Sequence, residues 1–312
     1  MDIPRIAVGP DKDGTVDVAW ARQAVTDAGG LAVSLADPDP DALVWVPGGS
    51  IDELGEALAR HPGLRWIQLP FAGVERVAAA GLFDSDRSWT CAKGSYAEPV
   101  AEHALLLALA GLRRLDERIR ATSWGRPDGT SLYGQKVTIL GGGGITDELL
   151  RLLAPFGVEA TVVRRRADPL PGAARTVATA QLDEVLPGAL VVFVALALTP
   201  ETTHIIGARQ LELMDRSAWL VNVARGPHVD SDALVAALRA GEIAGAALDV
   251  TEPEPLPDGH PLWAEPNCII TPHTADTWDM IKPLLASRIR ANVAHFTVGE
   301  PLEGLVDPAA GY

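Results

Sequence analysis

Ile139-Leu140-Gly141-Gly142-Gly143-Gly144-Ile145-Thr146-Asp147-Glu148 holds four consecutive glycines, which suit either a floppy linker or a loop that lets a phosphate touch backbone. The neighbours choose between the two. Lys136-Val137-Thr138-Ile139-Leu140 is short, β-branched and apolar, the pattern of a buried strand. Beyond the run, Leu149, Leu150, Leu152, Leu153 and Phe156 recur at helical spacing until Gly157. Strand, glycine turn and helix in that order open a nucleotide-binding βαβ unit. Its fingerprint, G-x-G-x-x-G, uses the first Gly for the turn, the second for close approach of pyrophosphate and the third for helix–strand packing. Gly141 and Gly143 fill the first two positions, and Gly144 and Ile145 complete the expected cofactor contacts of the turn. The third position is Thr146. Either the helix stands off the strand there or the hydroxyl bonds locally, and Thr146→Gly is expected to tighten cofactor binding. Asp147 and Glu148 suit the helix dipole but would repel a pyrophosphate that they faced.

The chain has 312 residues, enough for two domains, with 47% hydrophobic and 21% charged residues, the balance of a packed globular protein. A formal charge of −15 argues against nucleic acid or an anionic membrane as partner, so an anionic ligand needs a local basic cluster. The start Met1-Asp2-Ile3-Pro4 lacks the features of a signal peptide, and the longest apolar run is too short to span a bilayer. Cys91 and Cys268 form no framework and no metal-ligand spacing; two buried thiols in a reducing cytoplasm are expected, and no metal site.

Strands are expected at Arg5–Gly9, Ala42–Val46, Leu64–Leu69 and Trp89–Ala92, and helices at Val16–Ala28 and from Ser50, where Ser50 and Glu53 form a capping box, to about Arg60. One Ala/Leu-rich helix is expected from about Glu98 to Arg120, with Gly111 its weak point. Ser123–Gly134, rich in Gly, Pro, Asp and Ser, reads as a boundary. A second alternating set follows, with strands at Val137–Leu140, Ala160–Val163, Leu190–Ala195, Trp219–Val223, Ala246–Val250 and Cys268–Thr271. A last helix, about Trp278–Val298, has no sheet of its own and should pack back on the first domain or the hinge. The fold expected is α/β, with two doubly wound parallel-sheet domains.

Three polar islands each follow an apolar strand of the second set: Asn222-Val223-Ala224-Arg225-Gly226, Leu248-Asp249 through Glu254-Pro255-Leu256, and Thr271-Pro272-His273. In open α/β sheets, ligands bind at the carboxyl ends of strands. An Arg, an acid and a His delivered there suffice to reduce a 2-oxo acid. Arg225 can clamp a carboxylate and polarise a carbonyl. His273 can give a proton to the developing alkoxide, and Glu254 nearby would favour the charged imidazolium. Singly, each has a bland reading: a surface ion pair, a capping histidine, a solvated glutamate. At three successive strand ends the joint reading is the stronger.

These segments resemble the D-isomer-specific 2-hydroxyacid dehydrogenase family. Leu198-Thr199-Pro200-Glu201-Thr202, Val221-Asn222-Val223-Ala224-Arg225-Gly226, Ala247-Leu248-Asp249-Val250 with Glu254-Pro255-Leu256-Pro257, and Pro272-His273 match its motifs. Upstream, Ala72-Gly73-Val74-Glu75 and Val100-Ala101-Glu102-His103 do so too. The resemblance implies a Rossmann-like cofactor domain over residues 98–277 and a flavodoxin-like substrate domain, split in sequence, over 1–97 and 278–312. It implies that Arg225, Glu254 and His273 are catalytic and that Ala72, Gly73 and Val74 bind the substrate carboxylate. Leu196, Thr199, Val223 and Ala224 would contact the cofactor, and Asp249 its carboxamide. It also implies a homodimer formed through the cofactor domain and the helix from Glu98. Phe71 and Tyr96 are expected to line the pocket.

Cofactor choice turns on the end of the second strand, where an NAD enzyme needs a carboxylate for the ribose hydroxyl. Here Ala160-Thr161-Val162-Val163 runs into Arg164-Arg165-Arg166-Ala167-Asp168. Arg164 and Arg165 favour a 2′-phosphate, so NADP is expected ahead of NAD, against the reading of a solvated charge run. The function expected is reduction of a small 2-oxo acid such as glyoxylate or hydroxypyruvate. The alternatives are an NAD-dependent enzyme like phosphoglycerate dehydrogenase and a dinucleotide-sensing binding protein of the same fold.

Overall fold

The computed structural model describes residues 3–10 and 16–307. One compact unit takes Met1–Tyr96 and Trp278–Tyr312, the other Ala97–Thr277. In chain order the first unit contains β1 (Arg5–Gly9), α1 (Ala19–Asp27), β2 (Leu31–Val33), β3 (Ala42–Trp45), α2 (Ile51–Arg60), β4 (Trp66–Gln68), α3 (Glu75–Ala79) and β5 (Ser88–Thr90). The second holds α4 (Ala97–Leu112), α5 (Leu115–Arg120), β6 (Lys136–Leu140), α6 (Gly144–Leu153), β7 (Glu159–Arg164), β8 (Arg175–Ala178), α7 (Leu182–Val185), β9 (Val191–Val194), α8 (Ala208–Leu213), β10 (Trp219–Asn222), α9 (Ser231–Ala240), β11 (Gly245–Leu248) and β12 (Cys268–Ile270). The final helix, α10 (Trp278–Val298), returns to the first unit. Among the described residues, no helix is long and apolar enough to cross a membrane.

The first sheet is parallel with order β2-β1-β3-β4-β5, the flavodoxin-like winding. The second is parallel with order β12-β11-β10-β9-β6-β7-β8, the Rossmann order extended by a seventh strand. Strands β3, β9, β10 and β11 are buried throughout, which is why they read as unbroken apolar runs rather than alternating ones. In the first core Leu43, Trp45, Ile67 and Trp89 meet; in the second Val192, Val194, Leu220 and Ala246 do.

Helix α10 is tied to the first sheet by polar bonds as well as apolar packing. Asn292 Nδ2 donates to Gln68 Oε1 (2.8 Å) and to the Glu303 carbonyl (3.0 Å), and Thr90 Oγ1 donates to Gln68 Oε1 (2.9 Å). The chain after it then runs antiparallel beside β5, with Cys91 N donating to Gly304 O and Val306 N to Trp89 O (both 2.9 Å), covering an edge that would otherwise stand open.

Four expectations change. The long helix from Glu98 to Arg120 is two helices: Thr130 N donates to Leu112 O (2.8 Å), taking the carbonyl that a continuing helix needs, and Arg114 turns left-handed (φ 51°). Gly111 is no defect, since a Cβ there would stand 2.3 Å from the Trp219 ring. Ser123–Gly134 is not a boundary, because Leu132 is buried, Gly134 N donates to Phe156 O (2.9 Å) and the chain divides after Tyr96. Of the two thiols Cys91 is buried and Cys268 only partly so; both are free. Strands β2 and β8 lay outside the expected set. Each is a short edge strand with only one buried residue, too little for an alternation signal.

Candidate functional site

The glycine turn joins β6 to α6 at the point where the strand order of the second sheet reverses. Gly141 has φ 120°, and a Cβ on it would lie 2.2 Å from Ala195 O in the loop after β9, so only glycine fits. Gly143 is extended, and a Cβ there would meet nothing, which is the open room that the fingerprint reserves for a pyrophosphate. Thr146 is fully buried and its Oγ1 donates to Gly141 O (3.1 Å). Of the two outcomes expected, the local bond is the one found, and it braces the turn. Glu148 is paired with Arg151 on the helix surface. Burial pushes the Asp147 carboxyl up while Arg164 pulls it down, so the Arg164 charge reaches the turn. Indeed Arg164 Cδ and Nε lie 3.0 Å from where a Gly142 Cβ would be. Arg166 is spent on Asp168 (3.1 Å).

Leu196 and Thr199 lie half-buried on the loop after β9, where Thr199 N donates to Thr202 Oγ1 (2.8 Å). Val223 and Ala224 are buried after β10. Asn222 shapes this loop: its Oδ1 accepts from Ala224 N (3.0 Å) and its Nδ2 donates to Arg225 O (2.9 Å). Arg225 is half-buried, with Nη1 donating to Ala224 O (2.7 Å). At Gly226 a Cβ would fall 1.9 Å from Thr251 O, so the loops after β10 and β11 touch backbone to backbone. That contact is the reason Arg225 is followed by glycine.

Asp249 directly follows β11 in a nest of donors and is 2% exposed. Its Oδ1 accepts from Thr271 Oγ1 (2.5 Å) and Thr274 N (2.9 Å) and lies 3.3 Å from His103 Nε2, while Oδ2 accepts from Ala275 N (3.1 Å). Burial alone would raise this carboxyl; the bonds from His103, Thr271, Thr274 and Ala275 outweigh it and bring it down to about 2. The same bonds fix the loop that carries His273. This residue has φ 49°, a left-handed conformation uncommon outside glycine and asparagine, and its N–H donates to Asp249 O (2.8 Å). Held so, His273 Nδ1 donates to Glu254 Oε1 at 2.7 Å, both side chains being half-exposed.

Sequence reasoning passed over two groups here. Burial pushes the Asp276 carboxyl up, Asp249 adds to that, and His273 and Arg225 pull it down, so Asp276 lies within electrostatic reach of both. His103 enters only as a letter of a motif, yet it is an Asp249 partner and sits 3.1 Å from Thr271 Oγ1. His103 carries no local signal, because its partners are distant in sequence, and Asp276, three residues from His273, meets Asp249 and Arg225 only through the fold.

In the first unit, Ala72, Gly73 and Val74 form the loop between β4 and α3; Ala72 is exposed, Gly73 half-exposed and Val74 buried. Tyr96, expected to line the pocket, is buried, and its hydroxyl donates to Pro70 O, bracing that loop. Phe71 likewise packs against the first unit's own core.

A seven-stranded Rossmann unit with a glycine turn at its switch point, joined to a flavodoxin-like unit, defines an NAD(P)-dependent dehydrogenase. The family described as D-isomer specific 2-hydroxyacid dehydrogenase, NAD binding domain, matches residues 103–275. The chain belongs to this family and is an oxidoreductase that transfers hydride between a nicotinamide cofactor and a 2-hydroxy acid. It is 41% identical over 255 residues to an uncharacterized protein in the proB 3′ region of Corynebacterium melassecola, covering 80% of this chain and 84% of that one. It is 33% identical to a glyoxylate reductase of Thermofilum pendens, over 86% of this chain and 82% of the relative. Among solved structures, a D-isomer specific 2-hydroxyacid dehydrogenase from Xanthobacter autotrophicus Py2, in complex with NADPH and MES, matches with a TM-score of 0.84 and 29% identity over 100% of both chains.

Proposed function

We propose that the protein is an NADP-preferring reductase of small 2-oxo acids such as glyoxylate and hydroxypyruvate, with His273 as proton donor, Glu254 as its partner and Arg225 as the substrate clamp. The observation that carries the reading is the His273–Glu254 pair at 2.7 Å, on loops that adjoin Arg225 through the Gly226–Thr251 contact. A reduced nicotinamide, when bound, supplies the hydride. The Arg225 guanidinium binds the substrate's carboxylate and draws charge onto the carbonyl oxygen. The His273 imidazolium passes its proton to that oxygen as the carbonyl carbon takes up hydride, so a 2-oxo acid, a hydride and a proton give the 2-hydroxy acid. Glu254 holds the ring by Nδ1 and so fixes the edge that His273 presents to the substrate.

The residues present fit the dinucleotide. Gly141, Gly143, Gly144 and Ile145 would hold the pyrophosphate, Arg164 and Arg165 the 2′-phosphate, and Leu196, Thr199, Val223, Ala224 and Asp249 the nicotinamide half. The NADPH in the Xanthobacter structure and the absence of a carboxylate at Arg164 support NADP over NAD. In the first unit, the reading assigns Ala72, Gly73 and Val74 to the substrate carboxylate. The name of the Thermofilum relative supports a small substrate. We further propose a homodimer in the cytoplasm. Leu106, Leu115, Ile119, Trp124 and Tyr133 are exposed at 43–97%, an apolar set suited to a second copy, and two free thiols suit a reducing compartment. Steady-state loss of reduced-nicotinamide absorbance tests the reading: NADPH with glyoxylate or hydroxypyruvate should turn over, faster than NADH. No turnover of any small 2-oxo acid with either cofactor would overturn it.

A further inference from the structure

One buried imidazole has no part in that proton transfer. His228 ends the 3₁₀ turn Gly226–His228 after β10 and is fully buried. Its Nε2 lies 3.3 Å from Ala197 O in the loop after β9. A carbonyl only accepts, so Nε2 carries a proton. Its Nδ1 lies 3.2 Å from Arg225 N and 3.0 Å from Arg225 O. That carbonyl already accepts from Asn222 Nδ2 (2.9 Å) and from His228 N (3.3 Å), which fills its two lone pairs. The Arg225 N–H is then the partner of Nδ1, which must be unprotonated to accept from it. Neighbouring backbone bonds hold the same two loops together: His204 N donates to Pro227 O (2.8 Å) and Ile206 N to His228 O (3.0 Å).

We infer that His228 is a positioning residue: a neutral ring protonated at Nε2 that fixes the backbone of Arg225 and ties it to the loop after β9. The inference rests on the role proposed for Arg225. A substrate-clamping group displaced by about 1 Å can cost on the order of 10²-fold in rate, so a bond to its backbone matters to turnover and not only to folding.

Three variants separate the ring's two bonds. In His228→Asn an amide oxygen takes the place of Nδ1 and can still accept from Arg225 N–H. His228→Gln can still reach Ala197 O but leaves the Arg225 N–H unmet, and His228→Leu meets neither. With glyoxylate and saturating NADPH, His228→Asn should keep kcat/KM near wild type, whereas His228→Gln and His228→Leu should lose roughly tenfold or more. NADPH affinity, followed by tryptophan fluorescence, should change little in His228→Gln. A loss of activity in His228→Asn as large as in His228→Gln would overturn the inference. So would variants whose melting temperatures fall while kcat/KM stays at the wild-type value. Should His228→Leu not fold, the Asn and Gln variants still decide. A second readout needs no turnover: nitrogen–proton correlation NMR of the histidine rings at neutral pH should contain one Nε2–H tautomer whose signal vanishes in His228→Asn. An Nδ1–H or doubly protonated ring there would contradict the assignment. If the wild type reduces no 2-oxo acid, the functional reading fails, and the tautomer still judges His228.

Discussion

Asp249 and Glu254 stand on the same loop after β11, one at its base and one at its tip, and their surroundings differ in every respect. Asp249 is buried, with donors from α4, from the Thr271 side chain and from the backbone of the β12 loop, and is held at about 2. Glu254 is half-exposed and faces His273 Nδ1. A carboxylate that spends its oxygens on backbone and neighbours builds the loop. A carboxylate left near solvent holds the histidine ring by one nitrogen. The base makes the tip accurate, since the bonds that hold Thr274 and Ala275 to Asp249 set where the His273 ring stands.

The contact beneath both is the sharpest place to break this division of labour. Gly226→Ala puts a Cβ 1.9 Å from Thr251 O, backbone against backbone, so the β10 and β11 loops must part. A fall in kcat/KM on the order of 10²-fold is expected, with a lower melting temperature; wild-type kinetics would mean that the loops are not held in register there.

Arg164, at the end of β7, is remote from the β11 loop, so cofactor choice should be separable from the proton transfer. Arg164→Ala should weaken NADPH about ten- to a hundredfold and leave NADH almost untouched, as loss of one charged hydrogen bond requires. Equal damage to both cofactors, read as kcat/KM, would remove Arg164 from the 2′-phosphate role. Because Asp147 draws on the same guanidinium, Asp147→Asn should raise NADPH affinity slightly.

The base of the loop has its own signature in acid. Asp249 is depressed from 3.8 to about 2, so its contribution is fully present above about pH 4 and is lost as pH falls through about 2. That contribution is on the order of 2 kcal/mol. Denaturant titrations between pH 5 and pH 2 should therefore show a drop in stability that Asp249→Asn lacks; a variant with the same acid slope as wild type would contradict the role given to the base.

The smallest effect concerns Thr146. Since its hydroxyl braces the glycine turn, Thr146→Ser should be near neutral and Thr146→Val should cost roughly 1 kcal/mol by leaving Gly141 O unmet. The relief anticipated from Thr146→Gly is not expected, because that change removes the same bond.

Apart from the edge strands β2 and β8, both sheets were legible because parallel strands buried on two faces leave unbroken apolar runs, and the three polar islands mark the strand ends from which Arg225, Glu254 and His273 emerge. What escaped was decided by long-range contacts. The break after Leu112 depends on a bond from Thr130, and the need for Gly111 depends on Trp219. His103 and His228 meet Thr271 and Ala197 on other loops, Asp276 meets Asp249 and Arg225 only through the fold, and the bond from Tyr96 to Pro70 O has no local trace.

If the histidine at the tip of this pair of loops moves the proton, His273→Asn removes the proton donor and leaves the rest of the site in place. With the variant saturated in NADPH, turnover of glyoxylate and hydroxypyruvate should fall on the order of 10²- to 10⁴-fold while NADPH affinity stays as in wild type. Turnover near the wild-type value on every accepted 2-oxo acid would leave His273 with no part in the proton transfer.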